Sequence, residues 1–319
     1  MHPTLQLIDR QQSELKQSNI HWFDLPEPSP LVKSTDNIFN LSWSENNGAE
    51  INTTAWPTAD YNILFYPKAK DRLNWWLASL LPQLTDKQKL WVVGENDSGI
   101  KSLPKRVSEY FDCLKIDSAR HCVIFELKRR EIALQIPKEI EFRVDDLTCH
   151  SLAGVFSAGR LDKGSEVLLS VLPELKGDIL EFGGGCGVMT AKIAQQKQVK
   201  KVDAVELDLL AVRSSLLTFE SNGLTAKANT IWSDGTQQLP QKRYDHIVTN
   251  PPFHKGTRTE YGATEKFFAE AHQWLKSGGK LKWVANDFLT YQHLLKGNFN
   301  EEQVLLHTKG FKVYSATRQ

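Results

Sequence analysis

The 319-residue sequence has few of the features that place a protein in a membrane, outside the cell or around a metal. No run reaches about eighteen apolar residues, and the start, MHPTLQLIDRQQSELK, lacks a basic segment followed by an apolar one. Its cysteines are Cys113, Cys122, Cys149 and Cys186, which form no C-x-x-C pair. We therefore expect a cytoplasmic protein with reduced cysteines and no metal site.

The chain also lacks an excess of positive charge. Its 39 basic and 38 acidic residues nearly cancel, whereas a general nucleic-acid binder has a broad basic surface. Any RNA contact must therefore use a local patch. Three groups are candidates, although isolated basic residues are usually solvated surface: Lys68, Lys70 and Arg72; Lys101, Lys105 and Arg106; Lys255, Arg258 and Lys266.

The second half alternates β-rich runs with amphipathic ones, a pattern typical of βαβ units and a mostly parallel sheet. The predicted strands are 178–182, 201–206, 228–232, 244–249 and 279–284, and the predicted helices are 188–195, 209–221 and 264–275. Residues 303–308 and 311–316 predict a final hairpin, which would add an antiparallel strand.

The first half has a similar rhythm. It predicts strands at 61–65 and 89–93 and helices at 71–81 and 103–111. Aligning KLWVVGENDSGIKSLPKRV with GDILEFGGGCGVMTAKIA suggests an internal duplication whose first copy lost its glycine loop, although any two α/β domains look alike at this level. We expect a linker within 138–154, and domains at 1–150, for substrate docking and stability, and 151–319, for catalysis.

A glycine loop follows the strand at 178–182. Gly183, Gly185 and Gly187 form G-x-G-x-G before a helix, where the backbone approaches a ligand closely and free N–H groups face it. Glu181 precedes the loop. A carboxylate there suits the amino acid end of S-adenosylmethionine, whereas a pyrophosphate disfavours it. The loop alone remains compatible with a tight turn that binds nothing.

Acidic residues follow the next two strands. Glu206 lies about twenty residues after the glycines, where a carboxylate accepts both ribose hydroxyls of an adenosine, and Asp208 competes for that role. Ser233 and Asp234 follow the strand ANTIW, within reach of an adenine amino group. Taken separately, each acid is more often a helix cap or a surface residue.

The run Asn250-Pro251-Pro252-Phe253 follows the strand YDHIVT. Two prolines remove two donors, so carbonyl oxygens and the Asn250 side chain remain as acceptors for the hydrogens of a planar exocyclic amine. Phe253 offers a stacking face. The alternative is a rigid turn capped by a buried aromatic. No Pro-Cys nucleophile accompanies these residues, which favours nitrogen over carbon as the methyl acceptor.

With these motifs the chain resembles the bacterial 16S ribosomal RNA guanine-N2 methyltransferases of the RsmC type. The resemblance rests on VVGENDSGIKS, GVFSAGRLDKGSEVLL, ILEFGGGCGV, SNGL, IVTNPPFHKG and GFKVYSA, and so covers most of the chain. It implies an α/β fold of two tandem Rossmann-like class I methyltransferase domains, the first degenerate, with S-adenosylmethionine as donor. It also implies 16S ribosomal RNA within the assembled small subunit as substrate.

The resemblance assigns roles by position. Glu181 and the three glycines would hold the donor, Glu206 its ribose and Asp234 its adenine, while residues 250–253 would hold the base. The family usually has Asp at the positions of Glu181 and Glu206, and often Asn at that of Asp234. Gly184 and Cys186 are also atypical. Phe156, Asp162 and Gly164 precede the first strand, where they could close over the donor or base, although Phe156 is better explained by packing.

Two other functions remain open. An adenine-N6 or protein-glutamine methyltransferase also needs an Asn-Pro-Pro-aromatic turn, and Phe at position 253 disfavours these only slightly. A non-catalytic RNA-binding assembly factor with a methyltransferase fold is the second. We expect a monomeric enzyme that modifies a guanine.

Overall fold

The computed structural model describes residues 1–43, 58–131, 139–172, 174–251, 258–287, 291–295, 297–300 and 302–319, with 258–263 and 292 as backbone only. The chain divides into two compact units, Met1–Lys138 and Glu139–Gln319. None of the helices in these ranges combines the length and apolar character that crossing a membrane requires.

The described residues of the first unit form a mixed sheet with helices. The helices are α1 (Pro3–Asp9), α2 (Gln12–Leu15), α3 (Lys70–Leu80) and α4 (Leu103–Val107). The strands are β1 (Ile20–Phe23), β2 (Asn37–Phe39), β3 (Tyr61–Phe65), β4 (Lys89–Glu95), β5 (Phe111–Ala119) and β6 (Cys122–Arg129). Buried residues of α1 pack on one face of the sheet, against Trp22 and Trp91.

The second unit begins with a hairpin and continues as a larger sheet with helices. Its strands are β7 (Ile140–Val144), β8 (Leu147–Ser151), β9 (Gly177–Phe182), β10 (Val199–Glu206), β11 (Ala228–Trp232), β12 (Tyr244–Thr249), β13 (Leu275–Asn286), β14 (Gln303–Thr308) and β15 (Phe311–Thr317). Its helices are α5 (Lys163–Val171), α6 (Val188–Ala194), α7 (Leu209–Ser221) and α8 (Arg258–Trp274). The large sheet has apolar residues on its central strands, as a sheet covered on both faces requires.

The two sheets share one strand order. The second sheet runs β11-β10-β9-β12-β13-β15-β14, parallel up to β13 and antiparallel at β15. The first runs β2-β1-β3-β4-β6-β5, parallel up to β4 and antiparallel at β6. Within the described residues, the first order equals the second without its edge strand β11. The predicted tandem fold and the predicted antiparallel hairpin are therefore confirmed.

The alignment that suggested the duplication is nevertheless wrong. It paired the glycine turn after β4 with the glycine loop after β9, but β4 occupies the place of β13 in the strand order. The counterpart of β9 is β1, because each is the first strand of its sheet along the chain. β1 lies between β2 and β3, and β9 lies between β10 and β12. The counterpart of the glycine loop therefore begins at Asp24.

The hairpin of β7 and β8 belongs to the second unit. The backbone N–H groups of Thr148, His150 and Leu152 donate to the side chains of Asn222, Thr218 and Ser214, at 3.0, 3.0 and 2.9 Å. These three acceptors lie on α7 or at its end. The predicted division after residue 150 assigns the hairpin to the first domain instead.

Helix 103–111 was predicted too long. The helix ends at Val107, and the fully buried Phe111 begins β5, because its ring contributes to the apolar layer of the first unit. Strands β11, β12 and β14 and helix α7 have the predicted bounds.

Candidate active site

The loop between β9 and α6 is shaped by its glycines. Gly183, Gly185 and Gly187 have φ values of +79°, +53° and +81°, in the left-handed region that favours glycine. A Cβ atom added at Gly183 or Gly185 would meet nothing within 4 Å, whereas one at Gly187 would lie 2.7 Å from Cβ of Ser215. Gly187 therefore lets α7 pack closely, and the other two leave open space beside the backbone.

The atypical Gly184 has a packing reason. A Cβ atom there would lie 2.9 Å from Cβ of Ala204 on β10, closer than real side chains approach. The neighbouring Cys186 is buried, and burial raises the pKa of its thiol to about 12. Such a thiol stays protonated and is a poor nucleophile, in agreement with the expectation of a nitrogen acceptor.

Glu206, at the end of β10, faces the glycine loop. One carboxylate oxygen accepts from the backbone N–H of Gly185 at 2.8 Å, and the other accepts from that of Asp208 at 3.0 Å. Burial raises the pKa of this carboxyl above its usual value. Asp208 itself caps α7 by accepting from Leu210 N–H at 3.0 Å. Of the two acids, Glu206 is the one that contacts the glycine loop, and its role towards a ribose stays a prediction.

Glu181 lies beneath the loop and is 1% exposed. The Thr190 hydroxyl on α6 donates to its carboxylate. Burial raises the pKa of the Glu181 carboxyl to about 8; the Thr190 hydrogen bond opposes this rise and the Glu206 charge adds to it. A cationic ligand that reached this carboxyl would favour its ionised form.

The two polar residues after β11 differ in their hydrogen bonding. The Ser233 side chain is buried and accepts from the backbone N–H of Gln238 at 3.1 Å, so it shapes the loop. Asp234 is half-buried, and no hydrogen bond to its carboxylate occurs within the described ranges. Asp234 therefore retains acceptor capacity for a ligand.

Asn250 directly follows β12. Its side-chain nitrogen donates to the Asp162 carboxylate at 2.7 Å and to the Ser165 hydroxyl at 2.9 Å. Its side-chain oxygen is buried and has no hydrogen-bond partner among the residues that the structure describes. An unpartnered buried acceptor is costly unless something occupies it, and a substrate amine has the chemistry to do so. Pro251 is buried beside it, whereas the predicted Pro252 and Phe253 lie outside the described residues.

The sheet brings these groups to one edge. Phe182 pairs with Val205 on one side and Thr249 on the other, and the Thr249 hydroxyl donates to the Phe182 carbonyl at 2.8 Å. The glycine loop, Glu206 and Asn250 therefore leave the carboxyl ends of three adjacent parallel strands, where α/β sheets bind ligands. The open space at the glycines and the acceptors around it fit a nucleoside-type donor.

Sequence reasoning missed some members of the site. Ser165 and Thr190 contact predicted residues through hydroxyl groups. Ser165 lies within the segment GVFSAGRLDKGSEVLL, but nothing in that segment marked the serine itself as a site residue. Asp162 was noted, and the structure shows it capping α5 by accepting from the N–H groups of Gly164 and Ser165 at 2.8 and 3.2 Å. Phe156 is 59% exposed.

The strand order and the ligand-shaped edge of the second unit define a class I methyltransferase. Family models agree: one described as methyltransferase small domain matches residues 146–315, and one described as its N-terminal domain matches 31–139. The two matches fall on the two structural units.

Whole-chain comparisons narrow the class. Ribosomal RNA small subunit methyltransferase C from Hahella chejuensis is 40% identical over 270 residues, which cover 81% of this chain and 78% of that protein. The protein of that name from Pseudomonas syringae pv. syringae is 36% identical over 337 residues, with 100% of both chains covered. The chain belongs to the ribosomal RNA small subunit methyltransferase C family, as the sequence motifs predicted.

A solved structure extends the likeness to the fold. The T. thermophilus 16S rRNA N2 guanine methyltransferase (RsmC), solved with AdoMet and guanosine, matches with a TM-score of 0.80 and 25% identity. The match covers 94% of this chain and 88% of that one.

Proposed function

We propose that this protein transfers a methyl group from S-adenosylmethionine to the exocyclic N2 of a guanine in 16S ribosomal RNA. The observation that carries the proposal is the buried side-chain oxygen of Asn250, which has no partner within the described part of the chain. Asn250 directly follows β12, the strand that pairs with the strand before the glycine loop. Family membership supports it, as does the similar T. thermophilus enzyme, whose structure contains AdoMet and guanosine.

The proposed donor residues lie at the carboxyl ends of β9, β10 and β11. Gly183 and Gly185 leave room for close approach, Glu206 accepts the ribose hydroxyls and Asp234 accepts from the adenine amine. Glu181 pairs with the amino group of the donor. When bound, S-adenosylmethionine supplies an electrophilic methyl group on its sulfonium.

The acceptor residues hold the amine. The Asn250 oxygen and the carbonyl that precedes the second proline accept the two hydrogens of guanine N2, which directs its lone pair out of the hydrogen-bonding plane. These hydrogen bonds strengthen as the guanine N2 atom gains positive charge during methyl transfer. Asn250 therefore contributes most in the transition state. By their residue types, Pro252 would restrict the backbone and Phe253 would stack on the base; both lie outside the described residues.

The finer assignments are part of the proposal. The enzyme acts in the cytoplasm as a monomer, and its substrate is the assembled small ribosomal subunit. The first unit, Met1–Lys138, contributes substrate docking and stability. Lys101, Lys105 and Arg106 are exposed at and beside α4, where they can contact RNA phosphates.

Mass spectrometry of ribosomal RNA nucleosides from cells with and without the gene tests the function. We expect loss of N2-methylguanosine at one small-subunit position and its restoration by the wild-type gene. Loss of N6-methyladenosine instead, or of methylglutamine in a protein, would transfer the activity to a different amine and contradict the guanine assignment.

A further inference from the structure

The side-chain amide of Asn250 is held by the first turn of α5, 85 to 88 residues earlier in the chain. Its two hydrogens have two acceptors, the carboxylate of Asp162 at 2.7 Å and the hydroxyl of Ser165 at 2.9 Å. Rotating the amide by half a turn would place its oxygen against the carboxylate. The two acceptors therefore determine which end of the amide is presented as the free acceptor.

The same turn approaches Asn250 closely through Gly164. A Cβ atom at position 164 would lie 3.0 Å from the Asn250 side-chain oxygen and 3.2 Å from its nitrogen. The Asn250 amide therefore packs against the bare backbone of α5. Contact on one side and two hydrogen bonds on the other leave the side chain a single position.

Helix capping alone does not explain this arrangement. Asp208 also caps a helix, and it does so by accepting from the Leu210 N–H. Asp162 uses one oxygen for the Gly164 and Ser165 N–H groups and for Asn250 as well. The Ser165 hydroxyl takes no part in the cap, because the backbone N–H of Ser165 is the group that Asp162 accepts.

We propose that Asp162 and Ser165 are positioning residues for methyl transfer, which orient the Asn250 amide so that its oxygen faces the substrate amine. The proposal rests on the proposed role of Asn250. In this proposal both residues act on turnover through their hydrogen bonds to Asn250. If the Asn250 amide were flipped, its N–H group would face the N–H groups of the substrate amine. The hydrogen bond from the amine to the Asn250 oxygen would then be lost.

A pair of serines on α5 provides a matched test. Ser165→Ala removes an acceptor of Asn250. Ser170→Ala removes an exposed hydroxyl that, within the described residues, bonds to the Val167 carbonyl on the same helix. We expect Ser165→Ala to lower kcat about fivefold, the usual effect of one neutral hydrogen bond, with KM, donor Kd and Tm unchanged. Ser170→Ala should match the wild type, and Ser165→Thr, which keeps the hydroxyl, should recover most of the activity.

Asp162→Ser gives a second test, because serine is also a good N-cap but its hydroxyl does not extend as far as a carboxylate. We expect a larger loss of kcat, about tenfold or more, since a charged acceptor is removed. In an Asn250→Ala background, both Asp162→Ser and Ser165→Ala should cause no further loss, because their effect passes through the missing side chain.

The positioning can also be observed without turnover. The side-chain amide signals of Asn250, assigned by their absence in Asn250→Ala, should shift and exchange faster in Ser165→Ala and remain unchanged in Ser170→Ala. Equal kcat values for the two serine variants, or an equal loss in the Asn250→Ala background, would overturn the proposal. A wild-type enzyme that methylates an amine other than guanine N2 would overturn the proposed function. The amide signals would then still show whether Asp162 and Ser165 orient the Asn250 side chain.

Discussion

In both units the first strand of the sheet is followed by a residue with positive φ whose N–H bonds to the next strand. Gly183 has φ +79° and donates to the Val205 carbonyl at 3.0 Å, and Asp24 has φ +54° and donates to the Phe39 carbonyl at 3.0 Å. The backbone thus turns in the same way, but one loop begins with glycine and the other with an acid.

The acceptors for these loops also correspond. Glu206 accepts from Gly185 N–H at 2.8 Å, and Asn40 accepts from Leu25 N–H at 2.8 Å. Glu206 directly follows Val205, and Asn40 directly follows Phe39. The carbonyls of Val205 and Phe39 are the ones that accept from the first loop residues. A neutral amide has therefore replaced the carboxylate that would bind a ribose.

The first unit uses its loop for internal packing. The Asp24 carboxylate accepts from Trp76 Nε1 at 2.6 Å and from Leu41 N–H at 2.9 Å. The acceptor turns differ too, because β3 is followed by Tyr66 where β12 is followed by Asn250. The comparison teaches that one fold supports either a ligand site or a self-contained structural unit, depending on a few residues at the strand ends.

The largest expected effect is at Asn250, a residue that the second unit has where the first unit has Tyr66. Asn250→Ala should lower turnover about a hundredfold, as expected for loss of one preorganised polar group that acts in the transition state. Donor affinity should change far less. A single-turnover assay on small subunits from a strain that lacks the enzyme measures the effect. Full activity with normal donor binding would show that the turn is structural.

Asp24 tests the structural role of the first loop. Asp24→Ala leaves the buried indole N–H of Trp76 and the N–H of Leu41 without their acceptor, which should lower the free energy of unfolding by about 2 kcal/mol. Denaturant titration measures this change, with the exposed Asp86→Ala as control. Donor affinity should stay at the wild-type value, and a loss of donor binding in the folded variant would break the comparison.

Glu181 should make donor binding depend on pH if it pairs with the donor as proposed. The first unit has the buried Trp22 at the corresponding place, one residue before its strand ends. With a pKa of about 8, the free carboxyl is mostly protonated at pH 7, and pairing with the donor ammonium favours its ionised form. Binding should therefore release a proton at pH 7, and affinity should tighten as pH rises from 7 towards 8.

Calorimetry at pH 7 in buffers of different ionisation enthalpy measures that proton. The observed binding enthalpy should vary with the buffer for the wild type and not for Glu181→Gln. A wild-type enthalpy independent of buffer would mean that the carboxyl is already ionised in the free protein.

The basic patch of the first unit should have the smallest effect. Reversing the charges of Lys101, Lys105 and Arg106 should weaken binding to RNA or small subunits several-fold and reduce its salt dependence, since phosphate contacts release counterions. Donor affinity should not change. An unaltered salt dependence would move the docking surface to another part of the chain.

The sequence predicted the second unit well because its periodicity is strong. The bounds of β11, β12 and α7 were predicted correctly, since each is an apolar run between polar or glycine-containing turns. The glycine loop and Glu206 were placed correctly at strand ends because their spacing follows the βαβ pattern.

The first unit was predicted less well because local similarity does not reveal position in a sheet. The turn at 94–99 has a strand, a glycine and a helix around it, yet it follows the strand that corresponds to β13. The true counterpart at Asp24 contains no glycine signal. Likewise, nothing local connects Asn250 with Asp162, since 88 residues separate them and only the fold brings them together.

Titration of the full-length chain with S-adenosylmethionine tests the central claim, that one unit retains the donor site and the other has filled it. We predict a stoichiometry near one for the wild type. Gly183→Asp should abolish donor binding while the protein stays folded. The substitution installs the first unit's residue at a matching backbone conformation, where the added side chain enters the open space beside the loop. A stoichiometry near two, or wild-type affinity in Gly183→Asp, would contradict the account.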